Sequence, residues 1–388
     1  MADNSGAYIF GWGHTRFGRN ESTLEEMITD AVQQAIESAE IDPDQIDEIV
    51  VGQFNSGLQP LSFVSGLVAN SQESLRFKPA THVENACASG SAAIMSGLRA
   101  IEAGRARTVL VVGAEKMTHA APAVVGSALM GADYERAGEA SSVGFAEMFA
   151  EVANAYQEKH GDVRHWLAHI ASKNHTNGAD NPWAHFQRKL TFEECNEVSE
   201  KNPLVAAPLR RTDCSPISDG AAAIILGRTT HKSNGVVRIR TMQQAGDFLS
   251  RSKRSSDEFL GAEAAWIAAL KAVGMNVWDL DFIELHDCFT IAELILYESL
   301  GLFPKGEGYR ALDEGIVYAD GILPVNRSGG LKSKGHPVGA TGVSQHVMAA
   351  MQLTDTAGAM QLSKANTCGI FNMGGLAVAN YASILERV

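Results

Sequence analysis

Cys87 stands between an apolar run, Ala80 to Val83, and a stretch of small residues, Ala88 to Ala93. A cysteine where a buried strand passes into a helix lies at the helix N-terminus. Free backbone N–H groups and the positive end of the helix dipole would stabilise its thiolate there and lower its pKa. The same N–H groups could hold the oxyanion of a thioester. Taken alone, the segment fits a nucleophile and a buried structural cysteine equally well. A second segment, 328–342, is glycine-rich and carries His336 ahead of Pro337. A histidine held in this way could accept the cysteine proton and later donate to an enolate oxygen. The phosphate-loop spacing G-x-x-x-x-G-K-[ST] is absent from it. The third segment is Glu284-Leu285-His286-Asp287-Cys288-Phe289, placed where a buried strand hands over to a helix, at the kind of sheet edge where α/β active sites form. Its plain structural reading makes Asp287 the N-cap of the following helix.

Such residues need a scaffold, and the apolar periodicity supplies one. Strands are expected at 49–51, 80–83, 108–112 and 221–226, with helices over 23–39 and 87–103 between them, which reads as βαβ units around a buried sheet. From 118 to 205 the pattern loosens into helical stretches at 142–158 and 165–174, with His165, Trp166, His175 and Trp183 at spacings that shape a tunnel or pack rather than ligate metal. A second alternating series follows: strand 236–242, helix 258–273, strand 282–285, helices 290–300 and 340–352, and final strands near 364–367 and 377–385. The two series share an order without clear residue identity. A polar, glycine-containing boundary falls at 228–235.

Composition narrows the function classes. With 32 basic and 45 acidic residues the net charge is −13, which disfavours sequence-independent binding to nucleic acid or anionic membranes. An anionic ligand must therefore meet a local basic patch, and Arg251, Lys253 and Arg254 form one. The five cysteines are widely spaced with no C-x-x-C pair, so neither a disulfide framework nor a zinc site is expected, and a reduced, cytoplasmic setting fits. No secretory leader is read at 1–8, no membrane span along the chain, and no peroxisomal address at its end.

On segments 85–90, 113–117, 213–220, 286–289 and 335–342, in that order over nearly the whole chain, the sequence resembles the thiolase superfamily, most of all the sterol-carrier-protein-2 type and the bacterial acetyl-CoA acetyltransferases. The resemblance implies a five-layered α-β-α-β-α sandwich of two similar halves. Residues 1–117 with 206–230 would form the N-terminal half, 118–205 an inserted, mostly helical loop domain, and 231–388 the C-terminal half. It implies a 3-ketoacyl-CoA thiolase or acetyl-CoA C-acyltransferase, with coenzyme A and acyl-CoA as substrates and no tightly bound cofactor. Cys87 would carry the acyl group, His336 would activate it, and His286 would join His336 at the enolate oxygen. The backbone N–H groups of Cys87 and Gly374 would form the second oxyanion hole. The conventional Cys-x-Gly loop is replaced here by Cys368-Gly369-Ile370-Phe371-Asn372-Met373-Gly374-Gly375. The proton-handling cysteine is therefore either Cys368 or Cys288, and the intact His-Asp-Cys-Phe motif favours Cys288. Arg251, Lys253 and Arg254 would meet the phosphates of coenzyme A or remain solvated surface. A homodimer or homotetramer is implied, with a small zinc-binding OB-fold partner in some bacterial relatives. A partner-dependent retro-aldol lyase, a catalytically silent acyl-CoA binder and a ketosynthase are the competing functions.

Overall fold

The computed structural model describes residues 7–228, 232 and 235–388, so most of the boundary read at 228–235 lies outside the described residues. In chain order the strands are β1 (Ala7–His14), β2 (Glu48–Gly52), β3 (Ala80–Val83), β4 (Thr108–Glu115), β5 (Leu204–Ala206), β6 (Leu209–Arg210), β7 (Gly220–Gly227), β8 (Val237–Gly246), β9 (Phe282–Glu284), β10 (Thr367–Gly374) and β11 (Ala379–Arg387). The helices are α1 (Leu24–Ala39), α2 (Ser89–Glu102), α3 (Pro122–Leu129), α4 (Phe145–His160), α5 (Arg164–Gly178), α6 (Phe192–Asn196), α7 (Leu260–Val273), α8 (Thr290–Ser299), α9 (Arg310–Asp313), α10 (Gly330–Lys334) and α11 (Thr341–Leu353). Among the described residues, no helix is long and apolar enough to cross a membrane.

Strands β5 and β6 form a small hairpin, and the other nine join in the order β3-β2-β4-β7-β1-β8-β11-β10-β9. Read outward from the β1–β8 seam, the two halves match. In the first, β1, β7 and β4 run antiparallel in turn, and β2 and β3 continue parallel. In the second, β8, β11 and β10 run antiparallel, β9 continues parallel, and Val325 bridges Ile283 in the place of β3.

The period-two alternation of the strands sorts their side chains into layers. On β4, Val109 and Val111 join one core and Leu110 and Val112 another; β7 divides Ala222, Ile224 and Leu226 from Ala221, Ala223 and Ile225 in the same way. Cys368 and Ile370 of β10 share the first core, whereas Phe371 and Met373 face a third. The shared core holds α2 and α11, α1 covers the outer face of the first half-sheet, and α7 and α8 cover that of the second. This is the α-β-α-β-α sandwich.

Three details depart from the sequence reading. Strand β1 is not legible as a strand because Gly11 and Gly13 interrupt it. Both are needed for packing: a Cβ on Gly11 would lie 2.4 Å from that of Ala39, and one on Gly13 would lie 2.1 Å from the Ala31 carbonyl oxygen of α1. The strand expected at 364–367 begins at Thr367 and runs through the supposed glycine loop to Gly374. The helix expected from Cys87 opens at Ser89.

The central helices also meet through glycine. A Cβ on Gly90 would fall 2.7 Å from the Gly339 carbonyl oxygen, and one on Gly342 would fall 2.4 Å from the Ser91 nitrogen. Bare backbone therefore lets the N-terminal ends of α2 and α11 touch, and with them the loops that carry Cys87 and His336.

Candidate active site

Strand β3 ends in a sharp turn before α2. Ala86 has a φ of 50°, a left-handed conformation that is unfavourable for a residue with a Cβ. The turn is held by the Ser89 hydroxyl, which accepts from the Asn85 N–H at 2.9 Å and donates to the Ala86 carbonyl at 2.7 Å. Cys87, the residue after Ala86, is half-buried. A reactive sulfur and two ring nitrogens, from Cys87, His286 and His336, lie within 4.8 Å of one another. The imidazoles of His286 and His336 cross edge to face with centroids 5.1 Å apart.

The hydrogen bonds assign these two rings opposite tautomers. Thr341 Oγ1 donates to the Pro337 carbonyl at 3.0 Å, so it accepts from His336 Nδ1–H at 2.7 Å. That leaves a lone pair on His336 Nε2, as a base requires. Asn372 accepts the Ser91 hydroxyl on Oδ1 at 2.8 Å, so its Nδ2 is the atom that donates to the Cys87 carbonyl at 3.3 Å and to His286 Nδ1 at 2.7 Å. His286 therefore carries its proton on Nε2 and is a donor. Asn372, the residue that fixes this, projects from the strand that sequence reasoning took for a loop.

Electrostatics make the Cys87–His336 pair neutral, against the expectation of a lowered thiol pKa. Burial pushes the Cys87 thiol up to about 12, helped by repulsion from Glu115 and Glu84 and opposed by the Gly375 N–H that faces the sulfur. Because α2 begins two residues later, its dipole does not offset the loss of solvation. Burial lowers His336 to about 3, with the Lys334 ammonium adding to the effect, and burial holds His286 well below the usual histidine range beside His336. A soft divalent ion could use the same three donors only by displacing the thiol proton that burial retains. Alkylation of Cys87 by iodoacetamide should accordingly keep accelerating as pH rises from 7 to about 10; a rate already flat at neutral pH, as for a thiolate–imidazolium pair, would contradict the neutral assignment.

The amide at the sulfur is that of Gly375, one residue beyond Gly374. Gly374 instead packs on the nucleophile turn, where a Cβ would lie 2.3 Å from the Asn85 carbonyl oxygen. Cys288 is buried beside Cys87, and its thiol is raised well above the usual range by burial, with Cys87 and Asp287 adding to it. Cys368 lies elsewhere: it is fully buried in the central core, paired with Phe282 of β9. Asp287 is not an N-cap, since that position belongs to Phe289. Its buried carboxylate accepts from the Leu331 and Lys332 N–H groups at 2.6 and 3.2 Å and from Asn174 at 2.7 Å, tying the His286 strand to the loop before His336 and to α5. The turn-rich segment 213–220 acts as a strap. Ser215 donates from its backbone N–H to the Cys288 carbonyl at 2.9 Å, and Ile217 bridges His336.

A cavity of about 550 Å³ opens onto Cys87, Cys288, His336 and Gly375, with Phe54, Met117, Phe145, Phe149 and Phe289 among its walls and Arg211 and Ser215 as polar members. That size and apolar lining suit a slender organic substrate. His286 is not among the lining residues and is 1% exposed, with a ring nitrogen within 4.8 Å of the Cys87 sulfur and of His336. The basic triplet is partly engaged: Arg251 pairs with Asp133 at 3.3 Å and also with Glu151, Arg254 donates to the Leu376 carbonyl at 2.5 Å, and the exposed Lys253 lies over the Phe248 ring at 5.5 Å with no carboxylate partner among the described residues. His165, Trp166 and His169 form a ring cluster with Phe192 and Tyr309 away from the cavity wall.

Comparison with known proteins bears on the family and the fold. The family model for the thiolase N-terminal domain matches residues 7–230, and one described as thiolase C-terminal domain-like matches 245–387. An acetyl-CoA acetyltransferase of Methanothermobacter thermautotrophicus is 35% identical over 98% of this chain and 99% of its own length. Sterol carrier protein 2 of Gallus gallus is 33% identical over 95% of the chain and 69% of its own length. The solved Ltp2-ChsH2(DUF35) aldolase superposes with a TM-score of 0.83 at 20% identity, covering 99% of this chain and 98% of that one, which bears on the fold alone. A human mitochondrial 3-ketoacyl-CoA thiolase in complex with CoA does so with a TM-score of 0.74 at 19% identity, covering 100% and 99%. Two matched domains spanning nearly the whole chain, on a sheet that repeats its own order, make this chain an acyltransferase enzyme of the thiolase family.

Proposed function

We propose that the chain is a 3-ketoacyl-CoA thiolase, an acetyl-CoA C-acyltransferase, working through an acyl group on Cys87. The observation that carries the reading is the pair of opposite tautomers beside the half-buried Cys87 thiol. In thiolysis, Cys87 Sγ attacks the 3-keto carbon while His336 Nε2 takes the thiol proton. The backbone N–H groups of Cys87 and Gly375 receive the oxyanion. The bond between C2 and C3 then breaks, leaving the acyl group on sulfur and the enolate of acetyl-CoA, whose oxygen accepts from His286 Nε2–H and from the now protonated His336. Cys288 delivers its thiol proton to the enolate carbon. The resulting thiolate takes a proton from incoming coenzyme A, whose sulfur displaces the acyl group, and the departing Cys87 thiolate takes back the proton held by His336, restoring the starting state. Condensation is the same path reversed. A dimer, and a small OB-fold partner protein, belong to this reading as well.

The retro-aldol alternative needs no acyl–sulfur bond, so the state of Cys87 separates the two. Purified protein treated with acetoacetyl-CoA and quenched in acid is expected to carry an acetyl group on the Cys87 peptide, and Cys87→Ala should lose both the adduct and turnover. Unmodified Cys87 alongside tight acyl-CoA binding would point to the silent binder; cleavage of an aldol substrate with Cys87 untouched would point to the lyase.

A further inference from the structure

A second cavity, of about 640 Å³, shares Arg211, Cys214, Ser215 and Pro216 with the wall of the first, and Lys332 of α10 lines it. The described part of the protein buries four lysines, Lys116, Lys173, Lys332 and Lys334. Three have acceptors. Lys116 pairs with Asp219 at 3.0 Å, Lys173 with Glu293 at 2.8 Å, and Lys334 donates to Ser344 Oγ at 2.8 Å. Lys332 is only 3% exposed, yet among the described residues its Nζ has neither a hydrogen bond nor a carboxylate within 4.0 Å. It has the face of the Phe186 ring at 5.7 Å, which satisfies none of its three N–H donors. Nζ is not among the fully buried polar atoms that lack a partner, so it faces the cavity, where an acceptor can reach it.

The rim adds charge of the same sign. Arg211 and Lys201 have no carboxylate partner among the described residues, whereas Arg188 is paired with Glu194 at 2.8 Å. Glu193 and Glu197 also line the cavity, so the acidic side is present and the surplus of positive charge is small. The unpartnered ammonium gives the site its selectivity for an anion.

We propose that this cavity is an anion site in which Lys332, with Arg211 and Lys201 at its rim, binds a carboxylate or phosphate borne by the thioester substrate. The inference rests on the acyl-CoA reading above: the four residues common to both walls make the two cavities neighbours across the 211–216 segment, and the proposal takes the anionic end of a substrate held in the first to lie in the second. Two parts of such a substrate have this chemistry: the phosphates of coenzyme A and a carboxylate at the far end of the acyl chain.

The full chain, its Lys332→Met and Lys332→Arg variants, and three substrates distinguish them: acetoacetyl-CoA, acetoacetyl-pantetheine, which lacks the phosphates, and an acyl-CoA whose 3-ketoacyl chain ends in a carboxylate. Lys332→Met should raise KM by about tenfold for whichever substrates use the site, with kcat little changed, and Lys332→Arg should restore it. A rise for both coenzyme A thioesters but not the pantetheine assigns the phosphates; a rise confined to the carboxylated chain assigns the acyl end; no rise for any of the three overturns the site. Burial also draws the Lys332 amine below the usual lysine range, so it should react with aldehydes. Pyridoxal phosphate followed by borohydride is expected to label Lys332, with protection by inorganic pyrophosphate or by glutarate. This readout needs no turnover, so it survives failure of the thiolase reading, and absence of labelling or of protection by either anion overturns the site independently. Lys332→Met should melt at the same temperature as the parent or higher, because an unsatisfied charge is removed; a lower melting temperature would mean that the charge is already satisfied in the free protein and would overturn the proposal.

Discussion

His336→Ala is expected to slow transfer of an acyl group to Cys87 by about 10²–10⁴-fold, measured as single-turnover acylation by acetoacetyl-CoA. The size follows from the thiol at about 12, which leaves almost no thiolate at neutral pH. Attack must therefore be coupled to loss of the proton, and His336 Nε2 is the free lone pair beside the sulfur, fixed by Thr341 at the opposite nitrogen. Substrate binding should change less than the rate, since His336 is one lining residue among many and the apolar walls, such as Phe54, Phe145, Phe149 and Phe289, stay in place. Asn at this position should not rescue, because its amide has no basic lone pair. A loss below about tenfold would mean that the thiol ionises without help, contrary to its burial.

The second large effect separates two cysteines. In deuterium oxide, the enzyme should exchange the C2 hydrogens of acetyl-CoA. Cys288→Ala should lower that exchange by about 10²–10⁴-fold, as loss of a positioned acid–base group does, while Cys368→Ala should leave it within about twofold and cost about 1 kcal/mol of stability. Cys288 lines the cavity with Cys87, whereas Cys368 points into the apolar core between the two half-sheets. Exchange that survives the first substitution and falls with the second would transfer the proton-handling role to Cys368.

Cys87 and His286 could be singled out from sequence because each sits where an apolar strand hands over to a helix, and His336 because it stands before a proline in a glycine-rich segment; such patterns are recognisable locally. What holds them could not be read. Asn372 reaches Ser91 and His286 across 281 and 86 residues of chain, and nothing local in a stretch of glycines marks it as a strand residue. The donor to the sulfur was placed one residue early, at Gly374, because which of two adjacent amides faces Cys87 depends on where β10 ends. Arg251 and Lys253 read as a cationic patch, but the acids that neutralise Arg251 are supplied by Asp133 and Glu151, over a hundred residues away or nearly so, and only folding brings them together. Among the described residues, the one Lys or Arg lining the first cavity, Arg211, lies just ahead of the turn-rich segment 213–220, outside every motif the sequence singles out. The pKa of Cys87 failed for a related reason: the sequence locates the helix to within two residues, and the dipole effect depends on those two residues.

The repeat of strand order in the two half-sheets has a bearing on how the reaction could have arisen. The Cys87 turn and the His336 loop occupy corresponding places, each leading from the edge of its half-sheet into a central helix. A symmetric pair of either half would hold two nucleophiles and no base, or two bases and no nucleophile. Two unlike halves on one chain set one of each face to face. The chemistry thus depends on broken symmetry, and an isolated half, however well folded, would inherit an incomplete reagent.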